Sequence, residues 1–193
     1  GAGKQLTKMT NGYEKRKHSR LKTYDYTNSG CYFITFCTKD RAHVLSSIVG
    51  RGALTPPLVE LTDIGKIAAE VIERTSVVYP GISIDNYVIM PNHVHLLIRI
   101  SPVDGRVRAE GELPIGKRSH SGVPRPTENG SVSITEVIKA MKSITTRKIG
   151  TKIWQTSFYD HVIRNDEDYQ TRFRYIEENP AKWQQDKYYY QEV

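Results

Sequence analysis

Two strand-like runs joined by only two residues constrain this chain more than any other feature of its sequence. The runs ISIDNYVIM (82–90) and HVHLLIRI (93–100) are rich in β-branched and apolar residues, and only Pro91 and Asn92 separate them. Such residues suit a pleated, half-buried surface, and so short a connection favours an antiparallel pair. The sequence therefore predicts a β-hairpin over residues 82–100, with Pro91 either in the turn or at a strand end.

Residue spacing on either side of this hairpin predicts the remaining elements. The aromatic and β-branched run at residues 31–38 predicts a strand. Apolar residues at helical spacing predict helices over 62–79 and 134–149. Farther along the chain, the segment 152–164 resembles a strand or extended loop, and the segment 165–180 resembles a helix. The order strand, helix, strand, strand, helix, strand, helix is typical of an α+β fold in which helices pack on an antiparallel sheet.

Length and composition favour one domain with unstructured additions. The 193 residues, of which 38% are hydrophobic, suffice for a single core. Residues 1–30 are polar and basic and predict a mobile arm, which is either a solvated tail or a nucleic-acid contact. Within the domain at 31–193, the glycine- and proline-rich stretch at about 101–130 predicts a flexible insertion, with a lid or binding loop as the alternative.

The charge of the chain favours a polyanionic partner. The formal net charge is +7 at pH 7, which points first to nucleic acid but also aids solubility. On the helix over 134–149, Lys139, Lys142, Arg147 and Lys148 form a basic face that either meets phosphate or is simply solvated. The sequence identifies no individual DNA-binding residue.

Cysteine usage and hydropathy indicate a cytoplasmic protein. Cys31 and Cys37 lie six residues apart on one predicted strand, so they share its face rather than a disulfide. No apolar run approaches the ~20 residues needed to span a bilayer, and the opening GAGKQLTKMT lacks an apolar signal core. We therefore expect a soluble protein with no membrane partner.

The first candidate functional residues are His93 and His95, at the start of the second strand of the hairpin. Residues two apart on a strand point to the same face, so two neutral imidazoles could converge on one divalent ion while Val94 enters the opposite core. A His-x-His pair by itself is more often structural, held by hydrogen bonds. Its place on an otherwise apolar strand favours a metal site, because buried ring nitrogens need partners.

The predicted C-terminal helix contributes a second pair of reactive side chains, Tyr175 and Asn179. Four residues apart on a helix, they lie on one face, where a phenol and a carboxamide could reach the same ion and phosphate. A tyrosine is a suitable nucleophile for phosphoryl transfer when a metal polarises the phosphate. The structural alternative is that Tyr175 packs in the core and Asn179 caps the helix before Pro180.

Two further tyrosines compete with Tyr175 for the role of nucleophile. Tyr169 has Phe173 four residues on, and therefore lacks a polar partner on its helix face. Tyr159 adjoins Asp160 and His161, where a catalytic role is conceivable. His161 either orients a metal ligand or a phosphate, or is structural.

Three segments together resemble the HUH single-tyrosine transposases, closest to the REP-associated tyrosine transposases. They are YFITFCTKDRAHVL, YVIMPNHVHLLI and WQTSFYDHVIRNDEDYQTRFRYIEENP, which together span most of the chain outside the basic arm and the 101–130 insertion. The resemblance implies the HUH endonuclease fold, a ferredoxin-like or RRM-like antiparallel sheet with helices packed on it and the histidines on a central strand. It also implies Mg²⁺ or Mn²⁺ as cofactor.

Position by position, His93 and His95 match the histidine pair of this family, Tyr175 matches its nucleophile and Asn179 its polar metal ligand. The implied function is a metal-dependent single-stranded DNA endonuclease and strand transferase, which forms a 5′-phosphotyrosine and leaves a free 3′-hydroxyl. The implied partners are single-stranded DNA, including hairpin-containing repeats, with the protein a monomer or homodimer.

Two other functions stay open on the residues alone. One is a non-catalytic module that binds single-stranded nucleic acid, although CYFITFCT lacks a recognisable aromatic RNA-binding signature. The other is a metal-dependent hydrolase that uses an activated water, which would leave Tyr175 without a role.

Overall fold

The computed structural model describes residues 29–50, 57–102 and 133–189. The arm predicted at 1–30, apart from its last two residues, and the insertion predicted at 101–130, apart from its first two, lie outside the described residues. The elements in chain order are β1 (Gly30–Cys37), β2 (Ser46–Val49), β3 (Leu58–Leu61), α1 (Asp63–Val78), β4 (Ile82–Met90), β5 (His93–Ile100), α2 (Ile134–Ile149), β6 (Tyr159–Ile163) and α3 (Asp166–Glu178).

Four strands form the main sheet in the order β4-β5-β1-β6, and every neighbouring pair is antiparallel. With α1 between β1 and β4 and α2 between β5 and β6, the connectivity is the βαββαβ of a ferredoxin-like fold. The predicted hairpin is confirmed, since Met90 pairs with His93 across the two-residue connection. The predicted α+β class is confirmed, and β5 lies inside the sheet rather than at its edge.

Side chains alternate between the two faces of the sheet. Tyr32, Ile34 and Phe36 of β1 join Val94, Leu96 and Ile98 of β5 in a core that α1 and α2 cover. Phe33 and Leu97 face the other way and pack with Ile176 of α3. The same alternation buries Val94 under α1 and α2 and directs His93 and His95 to the face that α3 covers.

Side-chain caps define where the three helices begin. Thr62 Oγ1 accepts a hydrogen bond from the backbone N–H of Gly65 and so forms the N-cap of α1. Ser133 caps α2 and Asn165 caps α3 in the same way. The first turn of α3 is acidic, which suits the positive end of its helix dipole.

The sequence did not predict the two-stranded ribbon formed by β2 and β3. Each strand has only four residues, too few for a recognisable alternation, and Gly50, Gly52, Pro56 and Pro57 lie between them in the chain. Of the extended segment predicted over 152–164, only Tyr159–Ile163 forms a strand of the sheet, and Trp154 forms an isolated bridge to Thr38.

The basic face predicted for α2 is partly wrong. Lys142 is only 9% exposed, and its ammonium lies near the rings of Phe36 and Phe158, 5.9 Å from each centroid. Its aliphatic stem lets a lysine cross apolar surface to reach buried acceptors. Lys148 forms an ion pair with Glu70 of α1, at 2.7 Å. Because α2 covers the face opposite His93 and His95, its lysines do not border the histidine pair.

No helix in these three ranges combines the length and apolar character needed to cross a membrane. Cys31 and Cys37 are both buried free thiols, as predicted.

Two glycines provide a contrasting test of this packing. A Cβ on Gly65 would lie 2.0 Å from the carbonyl oxygen of Leu45, whereas a Cβ on Gly150, which has a φ of 81°, would meet nothing within 4 Å. We expect Gly65→Ala to lower the free energy of unfolding by about 3 kcal/mol through overpacking. Gly150→Ala should cost about 1 kcal/mol, since only left-handed strain opposes it. Urea unfolding midpoints measure both, and equal losses would contradict the close approach of α1 to Leu45.

Candidate active site

His93 and His95 lie side by side at the start of β5, both completely buried. Their Nε2 atoms are 3.0 Å apart, and their rings meet edge to face with centroids 4.4 Å apart. The strand alternation predicted from their spacing therefore does bring both imidazoles to one point.

Hydrogen bonds determine which ring nitrogen of His93 carries the proton. The side-chain N–H of Asn92 donates to the carbonyl oxygen of Tyr188 at 2.9 Å, which orients the amide so that Oδ1 of Asn92 accepts from His93 Nδ1 at 2.8 Å. His93 Nε2 is then left with a lone pair directed at His95. This is the tautomer that a metal-binding histidine requires.

His95 is held by residues of β1. Its Nδ1 lies 2.7 Å from Thr35 Oγ1, and its ring stacks on Phe33 with centroids 5.2 Å apart. Burial lowers the pKa of His95 below its ordinary value, and burial together with the neighbouring His95 lowers that of His93 further. Both imidazoles are therefore neutral at pH 7, as ligands must be.

Asp186, which the sequence analysis missed, completes the group. Its Oδ2 lies 4.0 Å from His95 Nε2, and one ligand atom from each of His93, His95 and Asp186 falls within 4.8 Å of the others. Asp186 follows a short 3₁₀ turn, Trp183–Gln185, in a segment without strand or helix periodicity. An acidic residue among the aromatic residues of KWQQDKYYY was the only available signal.

The Asp186 carboxylate also binds two side chains of the C-terminal part of α3. Its Oδ2 accepts hydrogen bonds from Asn179 Nδ2 at 2.6 Å and from the Tyr175 hydroxyl at 3.1 Å, and its Oδ1 accepts from the backbone N–H of Tyr188 at 2.6 Å. Burial alone would raise the pKa of Asp186, but the nearby imidazole of His95 and the hydrogen bond from Asn179 outweigh it and hold that pKa well below its ordinary value.

Tyr175 reaches the histidines from α3. Its ring lies edge-on to His95 at 5.1 Å and to Phe33 at 5.8 Å. Burial, followed by the negative charge of Asp186, raises the pKa of Tyr175 well above its ordinary value, so its hydroxyl is protonated at neutral pH. Tyr175 and Asn179 share one face of α3, as predicted, and meet at the same carboxylate oxygen.

The side chain of Asn179 is 2% exposed, and only the nitrogen of its amide forms a hydrogen bond, the one to Asp186. Its Oδ1 is buried and has no hydrogen-bond partner among the described residues, which costs about 1–3 kcal/mol if nothing binds there. Two imidazole nitrogens, a carboxylate and a spare amide oxygen are a suitable donor set for a divalent cation. The ligand role of Asn179 stays a prediction.

The competing residues are engaged elsewhere. The Tyr169 hydroxyl donates to Asp85 at 3.3 Å, and the ammonium of Lys187 lies 5.1 Å from the centre of the Tyr159 ring. His161 Nε2 lies 2.7 Å from an oxygen of Asp168 in α3. Among the described residues, neither tyrosine has a ring contact with His93 or His95.

A second phenol does contact the histidines, and sequence reasoning missed it as well. The ring of Tyr188 lies 4.7 Å from His93 and 5.6 Å from His95, and Tyr188 is 2% exposed. A cleft of about 320 Å³ opens the site to solvent on the side of α3; its lining residues are Tyr175, Glu178, Asn179, Lys182, Gln185, Asp186 and Lys187. Two lysines at this mouth suit the approach of a phosphate.

Comparison with known proteins gives one relative in sequence and several in structure. No family model matches the chain. A protein of Haemophilus influenzae described as uncharacterized is 32% identical over 185 residues, which cover 95% of this chain and 98% of that protein.

Two solved structures are similar at lower identity. A REP-associated tyrosine transposase bound to a REP hairpin has a TM-score of 0.49 and 22% identity, over 80% of this chain and 68% of that one. A candidate transposase from Deinococcus radiodurans R1 has a TM-score of 0.43 and 16% identity, over 82% of this chain and 95% of that one. Neither likeness is close enough to bear on function.

Proposed function

We propose that this chain, which belongs to the same family as the Haemophilus influenzae protein, is a metal-dependent single-stranded DNA endonuclease and strand transferase of the HUH tyrosine-transposase type. The observation that carries the proposal is the shared carboxylate of Asp186. It binds the Tyr175 hydroxyl and lies beside two buried, neutral histidines whose ring nitrogens converge. A phenol that can act as nucleophile and three side chains that can hold a metal thus share one partly open site.

His93, His95 and Asp186 would hold the cation, with the unpartnered amide oxygen of Asn179 as a further ligand. When bound, Mg²⁺ or Mn²⁺ supplies Lewis-acid polarisation of a phosphate and stabilises the leaving oxygen. Because two of the donors are imidazoles, the set favours Mn²⁺ over Mg²⁺ in affinity.

Tyr175 acts as the nucleophile in this proposal. Its oxygen forms a bond to phosphorus while the bond from phosphorus to the 3′ oxygen breaks, and the phenol proton, initially donated to Asp186, ends on the departing 3′ oxygen. The products are a 5′-phosphotyrosine and a free 3′-hydroxyl. One phosphate ester replaces another, so the reverse reaction rejoins strands without an energy source.

The half-buried position of Tyr175 favours a single-stranded substrate, hairpin-flanking tails included. A regular duplex hinders the in-line approach of a phenol that sits in a cleft, whereas a single strand can turn its backbone and splay its bases. A hydrolase that activates water would use the same histidines, but the hydrogen bond between Tyr175 and Asp186 would then serve no chemical purpose.

End-labelled DNA tests this proposal directly. The full chain is incubated with single-stranded DNA from the flanks of its own gene and with Mn²⁺ or Mg²⁺, and the products are separated under denaturing conditions. We expect a 3′ label to migrate with the protein and a 5′ label to be released, because the phosphotyrosine forms on the 5′ phosphate of the downstream fragment.

Blunt duplex of the same sequence is the control for strand form, and chelator is the control for metal. We expect duplex to be cut at least about tenfold more slowly, since its phosphates cannot align with Tyr175. Equal cutting of duplex at matched salt would refute the single-strand assignment. A 3′-labelled fragment that migrates without attached protein would instead identify a hydrolase.

A further inference from the structure

A second and larger cleft, of about 700 Å³, opens beyond the end of β1. Its lining residues are Lys39, Asp40, Arg41, Lys152, Trp154, Gln155 and Thr156. Three cationic side chains face one carboxylate there, a net charge of +2, and none of the three forms an ion pair within the described residues. The electrostatic field of this cleft therefore favours an anion.

Trp154, one of the residues that line this cleft, has an unused hydrogen-bond donor. Its side chain is 3% exposed and packs edge-on against Phe36, with centroids 4.9 Å apart. The indole Nε1 is buried and has no hydrogen-bond partner among the described residues. An indole N–H can only donate, so the group that satisfies it must carry an acceptor oxygen or nitrogen.

One wall of the cleft is held in an uncommon backbone conformation. Asp40 and Arg41 have φ values of 54° and 57°, the left-handed region that residues other than glycine seldom occupy. Hydrogen bonds fasten both sides of this turn: Lys39 N–H donates to the carbonyl oxygen of Ile153 at 2.6 Å, and Thr38 Oγ1 donates to that of Ala42 at 2.9 Å. The turn therefore presents its two cations from a fixed position.

The opposite wall is fixed by the buried Lys142. Its ammonium donates to the carbonyl oxygens of Gln155 at 2.7 Å, Thr156 at 3.3 Å and Ser157 at 2.9 Å. These three bonds hold the segment that follows Trp154. Both walls are thus organised before any ligand arrives, which reduces the entropic cost of binding.

A single aromatic ring links this cleft to the histidine pair. The Arg41 guanidinium lies 5.1 Å from the centre of the Tyr188 ring, which in turn lies 4.7 Å from that of His93. The backbone N–H of Thr38 also donates to the carbonyl oxygen of Asn92, the residue before His93, at 2.9 Å. A strand whose phosphate reaches the histidines would pass close to this cleft.

We propose that the cleft between residues 39–41 and 152–156 is a binding subsite for the nucleic-acid strand that flanks the scissile phosphate. Lys39, Arg41 and Lys152 hold its phosphates. An acceptor atom of one nucleotide takes the hydrogen bond of Trp154 Nε1. The identity of the ligand as single-stranded DNA rests on the proposed function, whereas the need for an anionic ligand with an acceptor follows from the cleft itself.

Neutralising two cations tests the phosphate contacts. The probe is a fluorescein-labelled oligothymidylate of about 12 nucleotides, whose binding is measured by anisotropy over a range of salt concentrations. We expect Arg41→Gln with Lys152→Gln to weaken binding by about tenfold or more. The slope of log K against log salt should also become shallower, by about 0.7 for each phosphate that the variant no longer neutralises.

A matched pair of substitutions controls for net charge. Lys66→Gln with Arg74→Gln removes the same charge from two exposed positions on α1, a helix that contributes no lining residue to this cleft. We expect this control to change affinity by less than about twofold, since screening weakens distant charges. Equal weakening by both double variants would overturn the subsite.

The indole donor can be observed without altering the cleft. The chain has two tryptophans, so the ¹⁵N-labelled protein shows two indole N–H signals, which Trp154→Phe or Trp183→Phe assigns. We expect the Trp154 signal to shift downfield when the oligothymidylate binds. A Trp154 signal that stays in place at saturating DNA would overturn the proposed hydrogen bond.

These experiments separate the subsite from the nickase. If the Arg41 and Lys152 substitutions weaken binding but no protein-linked DNA forms under any condition, the subsite stands and the proposed function fails. If linked DNA forms and the double variant binds and cleaves like the wild-type protein, the proposed function stands and the subsite is overturned.

Discussion

Tyr175→Phe is expected to eliminate the protein–DNA adduct and to lower cleavage of single-stranded DNA by at least about 1000-fold, as removal of a covalent nucleophile does in other enzymes. The substitution deletes only the hydroxyl, which donates to Asp186 at 3.1 Å, and keeps the ring that lies against His95. Denaturing electrophoresis with a 3′-labelled strand measures both effects.

A measurement of thermal stability shows whether the loss of cleavage is due to unfolding of the Tyr175→Phe protein. One hydrogen bond to a charged carboxylate contributes about 1.5–3 kcal/mol, so the thermal midpoint of the Tyr175→Phe protein should fall by about 3–12 °C. Metal binding should persist, because His93, His95 and Asp186 are unchanged.

Three other tyrosines supply matched controls for the nucleophile. Tyr169→Phe removes a hydroxyl from the same helix, where it donates to Asp85, and Tyr159→Phe removes the other competing phenol. Both variants should keep the adduct. Tyr188→Phe is the sharpest comparison, because the Tyr188 ring also lies against His93. An adduct that survives Tyr175→Phe and disappears in Tyr188→Phe would reassign the nucleophile.

Replacement of either histidine should remove the metal. We expect His93→Gln and His95→Gln each to weaken Mn²⁺ binding to the DNA-free protein by about 100-fold or more, since even the outer partners of a metal ligand contribute ten- to 100-fold. Cleavage of single-stranded DNA should disappear together with the bound metal. Isothermal titration calorimetry with Mn²⁺ measures affinity independently of any DNA reaction.

His161→Gln is the matched histidine control. His161 lies on β6, directly opposite Phe33 in the register, and binds Asp168 rather than the histidine pair. Its substitution should leave Mn²⁺ affinity within about threefold of wild type, since it lies outside the set of three ligands. A loss of Mn²⁺ affinity equal to that of His95→Gln would refute the proposed ligand set.

Asp186→Asn tests whether the third metal ligand beside the two histidines is Asp186 or Asn179. The asparagine retains an oxygen that can accept from Tyr175 and Asn179 but lacks the negative charge. If Asp186 is a ligand, Mn²⁺ affinity should fall by at least about tenfold. Unchanged affinity would leave His93, His95 and Asn179 as the set, which is the arrangement expected from the sequence alone.

Patterns between near neighbours in the chain were enough to predict much of this protein. Alternation over 82–100 predicted the hairpin and placed both histidines on one face. Apolar spacing predicted helices α1 and α2 to within a residue or two. The four-residue spacing of Tyr175 and Asn179 placed both on one helix face, and the structure confirms that they meet.

Short or irregular segments escaped these patterns. The strands β2 and β3 have four residues each, and the turn at Asp40 and Arg41 contains no glycine that would mark its positive φ values. Lys142 occupies a helical position that looks solvated in sequence, yet the aromatic rings of Phe36 and Phe158 enclose it. In each case a tertiary contact overrides the local preference.

The sequence by itself therefore determined the α+β order of elements, the shared face of His93 and His95, and the pairing of Tyr175 with Asn179, because strand and helix geometry relate residues only a few positions apart. Only the tertiary structure decided that Asp186 joins them. That contact depends on how α3 and the following turn pack against β5, a strand far away in the chain, and no local periodicity encodes a contact between segments so distant in sequence.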